Sequence, residues 1–276
     1  MDNQNLSEYT LEDLHSEMLV LLKKFHQICA DIPYSLHGGT LLGAIREGGF
    51  IPWDDDVDIT LTRAEYKKLE KLLSQMPCDE DIDFLGTEWE RIPIVVLKRK
   101  GKPLVWLDIF IYDYISENPV AQKLKLFFQY LLAAITKEKQ DMEITKEKES
   151  LHKIKYLLYW FVFQAGRIFP MEKKIALRDW FAENAFCGKR QYIHRSNDQY
   201  IGRRLILPVG TMDNYELIPF VDTELMITSA YKEVLASTYG EDYMIPKRFD
   251  VHQDMSHEIR RKRLIQKLAK KRSDQK

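Results

Sequence analysis

The chain reads as an α+β protein on three observations. Two capping-box sequences open amphipathic helices in the first quarter, short alternating apolar runs follow them, and two apolar helical segments, Leu124 to Ile135 and Ile154 to Phe169, occupy the middle. Thr10 and Asp13 form the first capping pair, ahead of Leu11, Leu14, Met18, Leu21, Leu22, Phe25 and Ile28 at helical spacing; this predicts a helix packed on the core. A short strand at 34–36 then delivers the chain to Gly38, and an acidic strand runs on through Ile59 and Leu61. Thr62 and Glu65 open a second helix, to about Leu73. Residues 82–86, 92–99 and 104–112 are expected to be extended, with Lys100-Gly101-Lys102 as the turn before the last of them.

The most informative stretch is 37–61, HGGTLLGAIREGGFIPWDDDVDITL. Gly38 and Gly39 offer backbone that a phosphate can approach without a side chain in the way, and Thr40 is placed to cap a short helix whose amides face an anion. Asp54, Asp56 and Asp58 alternate along the acidic segment and, if extended, project from one face, with Asp55 and Val57 on the other. Carboxylates converging in this way repel one another, and a divalent cation resolves the repulsion. Magnesium is the expected ion, with manganese as the substitute, because both take oxygen ligands and leave room for substrate phosphates. The competing reading is a solvated acidic turn between two glycine bends.

In the strand from Leu104 to Tyr112, Trp106, Asp108 and Phe110 share one face and Leu107, Ile109 and Ile111 the other. An unpaired carboxylate there would cost several kcal/mol. Asp108 is therefore expected to share a metal with Asp56 and Asp58, against the alternative of a sheet-edge residue bonded to backbone amides. Asp113, near the strand end, stays open between the two roles. Arg46 is expected to grip a donor phosphate bidentately or to pair with Asp54 or Asp55. His37 is a donor contact or a structural histidine, and Lys98, Arg99 and His252 are weaker candidates.

The run Gly39-Thr40-Leu41-Leu42-Gly43-Ala44, Arg46, and Phe50 to Asp58 closely resembles the LicD family, which includes the fukutin-related sugar phosphotransferases. Leu107-Asp108-Ile109-Phe110 with Asp113 looks like the family's second acidic strand, and Tyr239-Gly240, Tyr243-Met244 and Pro246 like its C-terminal signature. The resemblance implies a nucleotidyltransferase-like mixed sheet core with packed helices, and transfer of a phospho-alcohol such as phosphocholine from a CDP-linked donor onto a glycan of a polysaccharide, teichoic acid or lipopolysaccharide. Asp56, Asp58 and Asp108 would then be catalytic and metal-binding, with Asp108 also a candidate general base. Gly38, Gly39, Thr40, Arg46, His37 and Asp54 would bind the donor. Two alternatives stand beside this: transfer of the nucleoside monophosphate, and a non-catalytic scaffold in glycan assembly.

Composition bounds the remainder. At 276 residues and 45% apolar content the chain can bury a sizeable core, and a net charge of −1 supplies no field for nucleic acid. Cys29, Cys78 and Cys187 are too few and too scattered for a disulfide or zinc framework, and the N-terminus lacks a signal-peptide pattern, so a cytoplasmic location is expected. Four regions follow: a catalytic core over 1–116, a helical insertion over 117–170, a C-terminal helical region over 171–255 and a basic tail over 256–276. The segment Tyr156 to Phe163 is too short to span a bilayer of about 30 Å. It is either a buried core helix or a helix lying in a membrane interface. Eight basic residues and no acidic ones between Arg260 and Arg272 suggest a second contact with the inner leaflet, which would suit a lipid-linked glycan acceptor.

Overall fold

A computed structural model of the chain describes residues 9–76, 81–87, 91–137, 153–246 and 260–268. The first helix, α1 (Leu11–Ile28), begins on the reciprocal Thr10–Asp13 box and lays Leu14, Met18, Leu21, Leu22 and Phe25 into the core. Leu11, in its first turn, is exposed instead of packed. The second box, Thr62 with Glu65, opens α3 (Arg63–Gln75) as expected. Both boxes satisfy helix-end amides that would otherwise lack partners.

The mixed sheet has β5 (Val105–Ile115) at its centre, buried along nearly its whole length. On one side β5 pairs in parallel with β2 (Val57–Thr62), which pairs antiparallel with β1 (Ser35–Leu36). On the other side its first half pairs with β4 (Ile94–Leu97), next to β3 (Ile82–Leu85), and its last residues with β6 (Tyr192–Arg195), next to β7 (Ile206–Pro208). Asn197 fills the gap between those two partners. Its Oδ1 accepts from the Ile111 amide at 2.8 Å and its Nδ2 donates to the Ile109 carbonyl at 2.9 Å, so an amide side chain continues the ladder where no strand does.

Alternation along β5 separates two apolar clusters. Leu107, Ile109 and Ile111 join α1 and α2 (Gly38–Arg46) in the main core, while Trp106 faces a smaller cluster with Ile94, Val96, Leu264 and Leu268. Residues 171–255, expected to be helical, hold a helix at each end of the described part and four strands between them. After β6 and β7, the hairpin of β8 (Tyr215–Phe220) and β9 (Thr223–Thr228) covers α2 and β1 before a helix at Tyr231–Tyr239. These strands are short, and β6 finds its partner β5 far off in sequence. Gly240, at φ +92, ends that helix.

The two helices of the insertion, α4 (Pro119–Ile135) and α5 (Lys153–Gly166), form a layer with the helix that follows, α6 (Met171–Asn184), and α4 packs against both others. Among the described residues no helix is long and apolar enough to cross a membrane. The basic run expected as a tail is helical over 260–268 and sits on the sheet: Leu264 and Leu268 are buried, and the Arg261 guanidinium donates to the Leu104 carbonyl at 2.9 Å. Residues 138–152, His252 and Cys78 lie outside the described residues.

Candidate active site

The parallel pairing of β2 with β5 sets Asp58 directly opposite Asp108. Two hydrogen bonds tie the backbone of Asp58 to the glycine turn: its amide donates to Thr40 Oγ1 at 2.9 Å, and its carbonyl accepts from the His37 amide at 2.9 Å. The helix cap expected of Thr40 is therefore not its role. His37 occupies the N-cap position of α2, and Thr40 bonds across to the acidic strand. Gly38, at φ +54, turns the chain into α2, and a Cβ on it would stand 2.7 Å from Asp58 Oδ2. A Cβ on Gly39 would collide with Asp54 Oδ2. Only glycine lets two carboxylates approach this turn.

The acidic residues are split between loop and strand. Asp54, Asp55 and Asp56 lie in the loop before β2, where carboxylate oxygens of all three come within 4.8 Å of one another, and Asp58 lies in the strand. Strand alternation therefore does not align them; the loop does. His15 Nε2 donates to the Asp54 carbonyl at 2.7 Å and its ring stacks on Phe50, which fixes the loop against α1. Burial, then the charges of Asp56 and Asp55 and a hydrogen bond with Asp56, push the Asp54 carboxyl up to about 8. Asp58 is also held well above the carboxylate range, by burial and by the charges of Asp56, Asp108, Asp54 and Asp198. This is a charge-excess site whose oxygens suit a hard divalent cation.

Asp108 has a partner that sequence spacing hides. Arg260, from the helix over 260–268, donates from both terminal nitrogens to its two oxygens at 2.8 Å each, with the guanidinium over the Trp106 ring. Arg46 pairs with its neighbour Glu47 at 2.7 Å, not with Asp54 or Asp55. His37 is buried, its Nε2 accepts from Arg195 Nη1, and Nδ1 has no hydrogen-bond partner. Burial and the Arg195 charge hold its pKa well below the usual imidazole value, so the ring is neutral. Arg195 in turn pairs with Asp198 at 3.2 Å and lies over Phe110. Tyr239 completes the surround: burial first, then Asp58, Asp54 and Asp56, raise its hydroxyl pKa.

Three of these neighbours, Arg195, Asp198 and Arg260, were not foreseen, since none stands in a motif and the residues they meet are distant in sequence. The other candidates resolve structurally. Asp113 is bound by Arg63 at 2.8 and 2.5 Å and by the Ser196 hydroxyl. Lys98 pairs with Asp83, and Arg99 with buried Glu17 at 2.9 Å.

Fold and site together define an α+β protein with a glycine-backed acidic site at the start of two parallel strands. Residues 31–173 match the family LicD/FKTN/FKRP, nucleotidyltransferase domain, and the chain belongs to that family. It is 28% identical over 269 residues to the lipopolysaccharide cholinephosphotransferase LicD of Haemophilus influenzae, covering 89% of this chain and 96% of that protein. A shorter match, 39% identical over 62 residues, links it to the ribitol 5-phosphate transferase FKRP of Homo sapiens, covering 22% of this chain and 12% of FKRP. An uncharacterized protein of Rickettsia prowazekii is 40% identical over 109 residues, 36% of this chain and 40% of that one.

Proposed function

We propose that the chain is a phosphotransferase that moves a phospho-alcohol of the phosphocholine class from a CDP-linked donor onto a glycan. The observation that carries this reading is the packing of Asp54 and Asp58 against the Gly38–Gly39 backbone, with Asp56 beside them. Similarity to the Haemophilus cholinephosphotransferase over nearly its full length supports the choice of transferred group. Asp56 and Asp58 with Asp108, joined by Asp54, would hold magnesium or manganese, which supplies charge neutralisation at the donor pyrophosphate when bound.

The protein's own groups do the rest. The glycine turn makes room for the Asp54 and Asp58 carboxylates, and Arg46, in the last turn of the same helix, would meet a phosphate oxygen once released from Glu47. Neutral His37 offers its unpartnered Nδ1–H as a further donor. Asp108 takes the proton of the acceptor hydroxyl only after Arg260 frees one of its oxygens.

A thermal-shift panel of CDP-choline, CDP-ethanolamine, CDP-glycerol and CDP-ribitol with magnesium tests the donor, the true one stabilising the fold more than CDP does. Labelling each half of that donor then tests the bond. Label from the alcohol half on the glycan supports the proposal, and label from the nucleotide half would establish nucleotidyl transfer in its place. Metal-dependent turnover of none of these donors would favour the scaffold reading.

A further inference from the structure

The insertion helices are built inside out. On α4 the buried positions include Lys125 and Gln129, while Val120, Leu124, Phe127 and Phe128, at spacing i, i+4, i+7 and i+8, form an exposed apolar stripe. The same inversion holds on α6, which buries Lys174 and Arg178 and exposes Leu177 and Trp180. Lys125 is held in place by the carbonyls of Tyr114 at 2.5 Å and Ala182 at 2.8 Å, so the orientation of α4 is anchored from within. On α5, Tyr159 and Phe163 pack inward, and Phe161 is 67% exposed. Of the twenty-one exposed large apolar side chains among the described residues, thirteen lie between positions 120 and 180. A helix layer facing water has the opposite arrangement.

Charge decides what this layer meets. Residues 119–137 and 153–180 carry nine basic and two acidic residues, on a chain whose net charge is −1. The whole span 119–180 keeps the excess, at twelve to seven. Of the nine, Lys125, Lys174 and Arg178 are buried; Lys123, Arg167 and Lys173 are exposed against the exposed acid Glu172, and the Lys137 ammonium lies over the Tyr159 ring at 5.5 Å. Two copies of a face with this basic excess repel one another. An anionic surface attracts it, and Trp, Phe and Leu among cations are the residues that enter a lipid interface without crossing it.

We infer that the face formed by α4, α5 and α6 docks on the surface of a bilayer containing anionic lipid. The basic C-terminal run is not the main contact, because over 260–268 it is engaged with the sheet through Arg260, Arg261, Leu264 and Leu268. This inference stands apart from the proposed reaction.

The test is flotation of the full chain with vesicles of phosphatidylcholine alone or with a quarter phosphatidylglycerol. Binding to the mixed vesicles is expected, weakened several-fold by high salt but not abolished, because apolar contact survives screening. Phe161→Glu with Trp180→Glu should reduce it about tenfold or more at an unchanged melting temperature, since both side chains are exposed. Leu217→Glu, exposed on β8, controls for a general effect of added charge and should leave binding intact, as should truncation after Leu268. Failure of the full chain to float at low salt would overturn the inference. So would wild-type binding by the double variant, loss of binding on truncation, or light scattering that shows a dimer broken by Phe161→Glu.

Discussion

The two ends of the β2–β5 pair carry the same residue type under opposite conditions. At the Asp113 end, one buried carboxylate meets Arg63 through two hydrogen bonds and the Ser196 hydroxyl through a third. Burial alone would raise its pKa, but these contacts hold it below the ordinary value. At the Asp58–Asp108 end, carboxylates crowd one another, and burial and like charge push Asp54 and Asp58 up. Arg260 pairs with Asp108 there. A satisfied carboxylate serves the fold, whereas buried carboxylates that raise one another's pKa beside a glycine turn mark a candidate functional site.

The contrast predicts different losses. Asp58→Asn and Asp56→Asn should each lower turnover by at least about a hundredfold, since even outer-shell metal partners cost 10–100-fold. Melting temperature should hold or rise, because asparagine keeps the shape of the side chain and carries no charge to repel the neighbouring carboxylates. Wild-type turnover in both variants would erase the distinction between the two ends. Asp113→Asn should do the reverse: urea titration should register a loss of about 3–5 kcal/mol, as for a broken buried ion pair, while activity per folded molecule persists.

Arg260→Gln sharpens the comparison at Asp108. Freed of its guanidinium, this carboxylate becomes available to a cation, so Mn2+ affinity measured by electron paramagnetic resonance should tighten by about tenfold, or roughly 1.4 kcal/mol. Unchanged affinity would return Asp108 to a purely structural role. A pH series gives the smallest effect. Groups with raised folded values contribute stability that is complete below the unfolded Asp pKa of about 3.9 and lost as pH rises through the folded value, about 8 for Asp54. Metal-free protein should therefore weaken between roughly pH 4 and 8, and magnesium should restore it at the upper end. Asp113, with a lowered value, has the opposite sign: its contribution is present above that unfolded pKa and is lost as pH falls through its folded one. A stability curve unaffected by magnesium at pH 8 would count against a cation at the acidic end.

Sequence alone determined the local chemistry of this protein. Both capping boxes close within three residues, strand alternation separates the two faces of β5, and the glycine turn and acidic run lie within one short stretch that also carries the family resemblance. Such signals are legible because their partners are near neighbours along the chain. What tertiary structure decided lies between residues far apart. It sends Asn197 into the ladder of β5, Arg195 to His37, and Arg260 across 152 positions to Asp108. It also makes strands of segments after residue 190 whose pairing partners no local pattern names. Most of all, it turns Lys125 inward and Phe161 outward, since composition states how apolar a helix is but only packing decides which face meets the protein.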